Sequence, residues 1–212
     1  MIRSSRRRVR VATLLTALTL LATPVVAAGS AQAGSWSHRD AKGDVVRGSA
    51  AGDGAVEDPS DQATDITRLK VNHGPGKVTV TLVVRDLKGG DHAVVGRLVT
   101  PEGDYSVTYL RSADLKMFTL TDDAAGADTP DVPCRGKRIS FDASGDRIRI
   151  TVPRTCLGSP KWVRVGAGLV RGDLMSMADA DTVTMDEALR RGSVKAFNSD
   201  APLKVGKKVR AG

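Results

Sequence analysis

Apolar and polar residues alternate along "DITRLKVNH" (65–73) and "KVTVTLVVRDL" (77–87), and this period of two predicts two strands joined by "HGPG". Pairing positions that sum to 149 sets Val71 against Val78, Leu69 against Val80 and Thr67 against Leu82. One face of that hairpin is then apolar, and the other carries Arg68, Lys70, Thr79 and Thr81. Further strands are predicted at His92 to Thr100, Tyr105 to Arg111 and Lys116 to Thr121, with "PEGD" at Pro101 to Asp104 as a turn. No long helical period interrupts them. Short, turn-separated strands with one wet face each predict an all-β chain, an antiparallel β-sandwich of jelly-roll or immunoglobulin-like type.

The two cysteines bracket "CRGKRISFDASGDRIRITVPRTC", which reads as strand, "ASGD" turn and strand. Pairing positions that sum to 289 sets Phe141 against Ile148 and Ile139 against Ile150, and brings Cys134 within one residue of facing Cys156. Pro133 and Pro153 can supply the small irregularity that makes up the difference. Two cysteines at the open end of one hairpin argue for a disulfide. Free thiols or half of a metal site are the alternatives, and no histidine lies near either cysteine in sequence.

The first 33 residues read as an address. Arg3, Arg6, Arg7, Arg8 and Arg10 precede an apolar run from Val11 to Ala28, and "AQA" at Ala31 to Ala33 is a small-x-small cleavage pattern. Thr13, Thr16, Thr19, Thr23 and Pro24 dilute the run, which favours a cleaved signal peptide over a retained anchor. The expected product is a secreted chain from Gly34, extracellular or wall-associated and free of the membrane after cleavage. "SRRRVR" gives a loose twin-arginine look, but the ordinary export route is preferred. Residues 34–200 are expected to form one domain, followed by a basic tail from Ala201.

Export changes the meaning of the charge. The whole chain holds 32 basic and 24 acidic residues, a net +8, but the leader has five arginines and no acid, leaving +3. Lys204, Lys207, Lys208 and Arg210 belong to the tail, so residues 34–200 carry −1. Nucleic-acid binding, which needs cations clustered on one face, is therefore not expected. A solvated end is the ordinary reading of the tail, and contact with an anionic wall the alternative.

"DAKGDV", "DITRLKVNHG" and "PRTCLGSPKWVRVGAGLV" together resemble a group of uncharacterised secreted actinobacterial proteins, over about Asp40 to Val170 with a looser match at "MDEALRRG". Their architecture is similar to the β-sandwiches of family 9 carbohydrate-binding modules and DOMON domains. The resemblance implies the sandwich but no ligand, because one sandwich hosts many functions.

Candidate chemistry centres on aspartate. Between Asp40 and Asp65 lie seven acids (Asp40, Asp44, Asp53, Glu57, Asp58, Asp61, Asp65) against Lys42 and Arg47. Asp40, Asp44 and Asp65 form a candidate calcium site, since calcium takes six to eight oxygen ligands and Gly43 lets the backbone turn inward. The competing reading, which the sequence favours, is that these aspartates serve turns and strand ends. A second acidic set, Asp173, Asp179, Asp181, Asp186 and Glu187, is assigned to the solvated surface.

No GxSxG, SxxK or HExxH pattern occurs, and His38, His73 and His92 are not at metal-ligand spacing. Tyr105 and Tyr109 share a strand face with Val107; core packing is their commoner role, ligand stacking the alternative. The expected function is a non-catalytic module that binds an extracellular glycan or protein, with calcium as its candidate cofactor. The alternative is a small secreted hydrolase using an unrecognised pair of carboxylates.

Overall fold

The computed structural model describes residues 34–49, 55–113, 115–125, 131–174, 183–190 and 202–212. The leader lies outside the described residues. In chain order the strands are β1 (Gly34–Arg39), β2 (Val46–Gly48), β3 (Val56–Glu57), β4 (Ile66–His73), β5 (Lys77–Val84), β6 (His92–Val99) and β7 (Asp104–Ser112). They continue with β8 (Leu115–Asp122), β9 (Arg138–Asp142), β10 (Arg147–Pro153), β11 (Trp162–Gly172), β12 (Val183–Glu187) and β13 (Val209–Arg210). The chain is all-β, as its alternation predicts; no α-helix occurs among the described residues.

The strands form two antiparallel sheets. One has the order β1-β4-β5-β10-β9, the other β3-β2-β12-β11-β6-β7-β8, with β13 paired to β11. Their buried faces feed one core. Leu69, Val71, Val80, Leu82, Ile148 and Ile150 come from the first sheet, and Val94, Leu98, Val107, Leu120, Val165 and Leu169 from the second. This shared core is the arrangement expected of a β-sandwich.

The second hairpin has the predicted register, with Phe141 opposite Ile148 and Ile139 opposite Ile150. Cys134 and Cys156 form a disulfide across its open end, with Cα atoms 5.4 Å apart. The first hairpin is shifted by two from the expected pairing: Leu69 faces Leu82, Val71 faces Val80 and His73 faces Val78. The turn centres on Pro75 and Gly76, and the Gly74 amide donates to the Lys77 carbonyl at 3.0 Å. Proline thus takes the first central turn position, which its fixed φ suits, whereas the expected register would have put it at the second. A shift of two leaves every side chain on its own face, so the apolar face is the one predicted.

The C-terminal segment is not the solvated end expected of it. From Pro202 it runs back over β11: the Gly206 amide donates to the Val165 carbonyl at 2.9 Å, and Val209 pairs with Val163 and is 3% exposed. A Cβ on Gly166 would sit 2.1 Å from the Lys204 carbonyl oxygen. Glycine at position 166 is what lets the two backbones approach so closely.

Tyr105 and Tyr109 are each 8% exposed and belong to the core. The Tyr109 ring packs near those of His92, Phe118 and Phe141, with centroids 5.2 to 6.3 Å away. Both rings are enclosed, in keeping with the core-packing reading of these positions.

Candidate metal centre

"DAKGD" (40–44) lies between β1 and β2, and the structure shows how the loop closes. The Asp40 amide extends the β1–β4 pairing by donating to the Thr67 carbonyl at 3.1 Å. Gly43 then takes a left-handed φ of 73°, which favours glycine, and its amide donates to Oδ2 of Asp65 at 2.9 Å. The turn therefore carries Asp44 inward beside Asp65. Turn-forming and ligand-forming roles coincide in this loop.

Asp65 immediately precedes β4 and is completely buried. The carboxylate also meets Arg85, whose Nη1 lies 3.4 Å from Oδ2. Asp186, on β12 of the other sheet, is 2% exposed, and its Oδ2 accepts a hydrogen bond from the Ile66 amide at 2.6 Å. Asp44, Asp65 and Asp186 each direct a carboxylate oxygen to one point, and these three oxygens lie within 4.8 Å of one another. Oδ1 of Asp65 and Oδ1 of Asp186 are buried and accept no hydrogen bond from the described residues.

Electrostatics set the cost of this convergence. Two carboxylates at this separation repel by on the order of 3 kcal/mol at an effective dielectric of 20. Arg85, which is 36% exposed, is the cation in reach of Asp65 among the described residues. Burial, reinforced by Asp44 and Asp40, pushes the Asp186 carboxyl up to about 8. Asp40 stands just outside the triad; burial, then Asp44, raises its carboxyl to about 7, and its buried Oδ2 accepts no hydrogen bond from the described residues. Without a cation, the folded protein must hold protons here or bear the repulsion.

The donor set consists of oxygen alone, which suits a hard divalent cation and not zinc or copper. Asp44 is half-buried, so water can complete the shell.

Of the predicted ligands, Asp44 and Asp65 are brought together and Asp40 lies beside them. Asp186 was placed by sequence on the solvated surface, and its 2% exposure corrects that reading. Glu187 is also buried, but it is occupied: Oε1 accepts from the Lys204 amide at 2.7 Å and Oε2 pairs with Arg190 at 3.0 Å. Asp53, Asp179 and Asp181 lie outside the described residues. Asp58 and Asp61 are turn formers, Asp61 accepting from the Ala63 and Thr64 amides at 2.8 and 3.1 Å. Comparison with protein-family models, curated proteins and solved structures gives no match.

Proposed function

We propose that this chain is an exported, non-catalytic binding module whose two sheets are clamped by a calcium ion held between Asp44, Asp65 and Asp186. The single observation that carries the clamp is the clustering of Asp44, Asp65 and Asp186, in which the buried Asp65 and Asp186 each keep one carboxylate oxygen that accepts no hydrogen bond from the described residues. A bound cation would neutralise that charge and join the β1–β2 loop, β4 and β12. The disulfide, the leader pattern and the resemblance to secreted sandwiches all support an extracellular setting. A module that presents a ligand-binding face outside the cell gains from such a clamp, because it stiffens the sandwich without a larger core.

Melting in calcium and in chelator tests the clamp. A cation that binds only the folded state stabilises it by RT ln(1 + [Ca]/Kd), about 2.7 kcal/mol at a hundredfold excess over Kd. Melting temperature is expected to rise with calcium, fall with chelator and respond weakly to magnesium. Identical melting in all three conditions would leave the aspartates as turn formers.

One observation favours the hydrolase reading. Asp40, with its raised carboxyl, lines a cleft of about 700 Å³ together with His38, Arg39 and Arg190. Its acidic neighbours Asp65 and Asp186 are buried, however, and cannot reach a substrate as the second carboxylate.

A further inference from the structure

The body of the chain is almost neutral, yet its charge is sorted by face. Strand register places Arg39 opposite Arg68 on β1 and β4, and Lys70 of β4 opposite Ser37. Across β5 lies β10, where Arg147 faces Val83 and Arg149 faces Thr81. Thr151 of β10 is opposite Arg138 of β9. Arg39, Arg68, Lys70, Arg138, Arg147 and Arg149 therefore share the solvent side of the five-stranded sheet, opposite the face that carries Leu69, Leu82 and Ile148.

In these cross-strand rows the one carboxylate is Asp142. Its Oδ1 already accepts from Ser144 Oγ at 2.7 Å and from the Gly145 amide at 3.0 Å. Arg147 stands opposite Asp142 across the β9–β10 ladder, and none of the other five cations forms an ion pair among the described residues. Like charges directly opposed across a ladder destabilise a sheet, so the fold gains nothing from Arg39 against Arg68. Protection of sheet edges accounts for charges on edge strands. β4 and β10 are interior strands, and they hold four of the six. A groove of about 460 Å³ opens on this face, lined by Arg39, Lys42, Arg68, Lys70 and Arg147 and by one carboxylate, that of Asp40.

We infer that this face binds a linear polyanion, specifically a polymer of phosphodiester-linked polyols. Neighbouring strands lie about 4.8 Å apart and same-face residues of one strand about 6.8 Å apart, so the cations form a grid on which successive anions of one flexible chain can settle. Five of the six are arginines, whose planar forks pair two donors with two phosphate oxygens. Ser37, Thr81 and Ser140, which share one cross-strand row, offer hydroxyls to a polyol. Bases and sugar rings are held by stacking on aromatic side chains, and these rows contain none. Charge and hydroxyls without rings select the polyol phosphate over a nucleic acid or a uronic-acid polymer.

This inference deepens the binding-module reading and relies on it for the compartment. Titration of the full chain with poly(glycerol phosphate), polygalacturonate and an oligothymidylate, each at several salt concentrations, tests it. Poly(glycerol phosphate) is expected to bind most tightly. Combining Arg68→Gln, Arg147→Gln and Arg149→Gln should weaken it at least tenfold and lower the log–log salt slope by about 2, because each phosphate left without its cation accounts for about 0.7. Lys204→Gln, Lys207→Gln and Lys208→Gln together remove the same charge elsewhere and should change affinity less than twofold. Arg149→Glu, a single exposed substitution, should reproduce the loss if the triple variant folds poorly.

Equal losses in the two triple variants would overturn the location. Tighter or equal binding of oligothymidylate or polygalacturonate would overturn the ligand class, and no binding to any polymer would overturn both. The calcium response of melting is independent of all three polymers, so loss of this inference would leave the clamp standing.

Discussion

The amide of Ile66 donates to Oδ2 of Asp186 at 2.6 Å, a hydrogen bond that joins β4 of one sheet to β12 of the other. The same residue offers a carboxylate oxygen to the cluster with Asp44 and Asp65, and its buried Oδ1 accepts no hydrogen bond from the described residues. One side chain thus performs two tasks that substitution can separate. Asn at position 186 can keep the acceptor for Ile66 while removing the charge. Asp186→Asn is expected to melt above wild type in chelator, because repulsion is relieved, and to lose the rise in calcium. Asp186→Ala should instead cost about 1–3 kcal/mol, since it also leaves a buried amide unsatisfied. Calorimetry of the three proteins with and without calcium checks this; an Asn variant that still gains stability in calcium would remove Asp186 from the cation site.

Titration should show the same charges. Asp186 and Asp40 have carboxyls raised to about 8 and about 7, above the ordinary 3.8, so the cation-free folded state holds protons that the unfolded state has released. Their contribution is present at low pH and is lost as pH rises through those values. Burial lowers both His73 and His92 below 6.5, and their contribution has the opposite sign, complete above 6.5 and lost as pH falls. The two effects oppose each other in mild acid. From pH 6.5 to 8 the histidine contribution is complete, so the raised carboxyls should make stability in chelator decline across that window. In saturating calcium the carboxylates are already ionised and the decline should vanish. Denaturant melts at half-unit pH steps measure both curves, and a decline of equal size with and without calcium would contradict the assignment.

Face parity was legible in the sequence and neighbour identity was not. Leu69, Val71, Val80 and Leu82 alternate with polar residues, and a register error of two could not move them off the core face. β11 gave no such signal. Its central residues, from Val165 to Leu169, are buried on both sides, because the chain from Leu203 to Gly206 covers the outer one. Alternation cannot appear where no face is wet. Asp65 could be singled out because it stands at the mouth of a strongly alternating strand. Asp186 could not, since its partner Ile66 is 120 residues away and belongs to the other sheet. The cationic face was hidden for a related reason: Arg68 and Lys70, or Arg147 and Arg149, are visible as pairs, but only pairing of β10 with β5 puts them on one surface. Net charge sums over faces and cannot report their separation.

The covering of β11 leads to a last expectation. Gly166 lies where the C-terminal segment crosses, and an added Cβ would stand 2.1 Å from the Lys204 carbonyl oxygen, a backbone atom that no side-chain rotation can move aside. Gly166→Ala should therefore push the segment from Leu203 to Gly206 off the strand. The hydrogen bond from Gly206 to Val165 and the pairing of Val209 with Val163 would be strained with it, and so would the contact of His73 Nδ1 with the Val209 carbonyl at 3.0 Å. A cost of about 1–3 kcal/mol is expected, the range for overpacking in a well-packed site. Trypsin offers a local readout, because Lys204, Lys207 and Lys208 sit on the displaced segment. Cleavage there should be faster in the variant, while the hairpin closed by Cys134 and Cys156 stays resistant. A variant that melts and is cleaved like wild type would show that the C-terminal segment contributes no stability to β11.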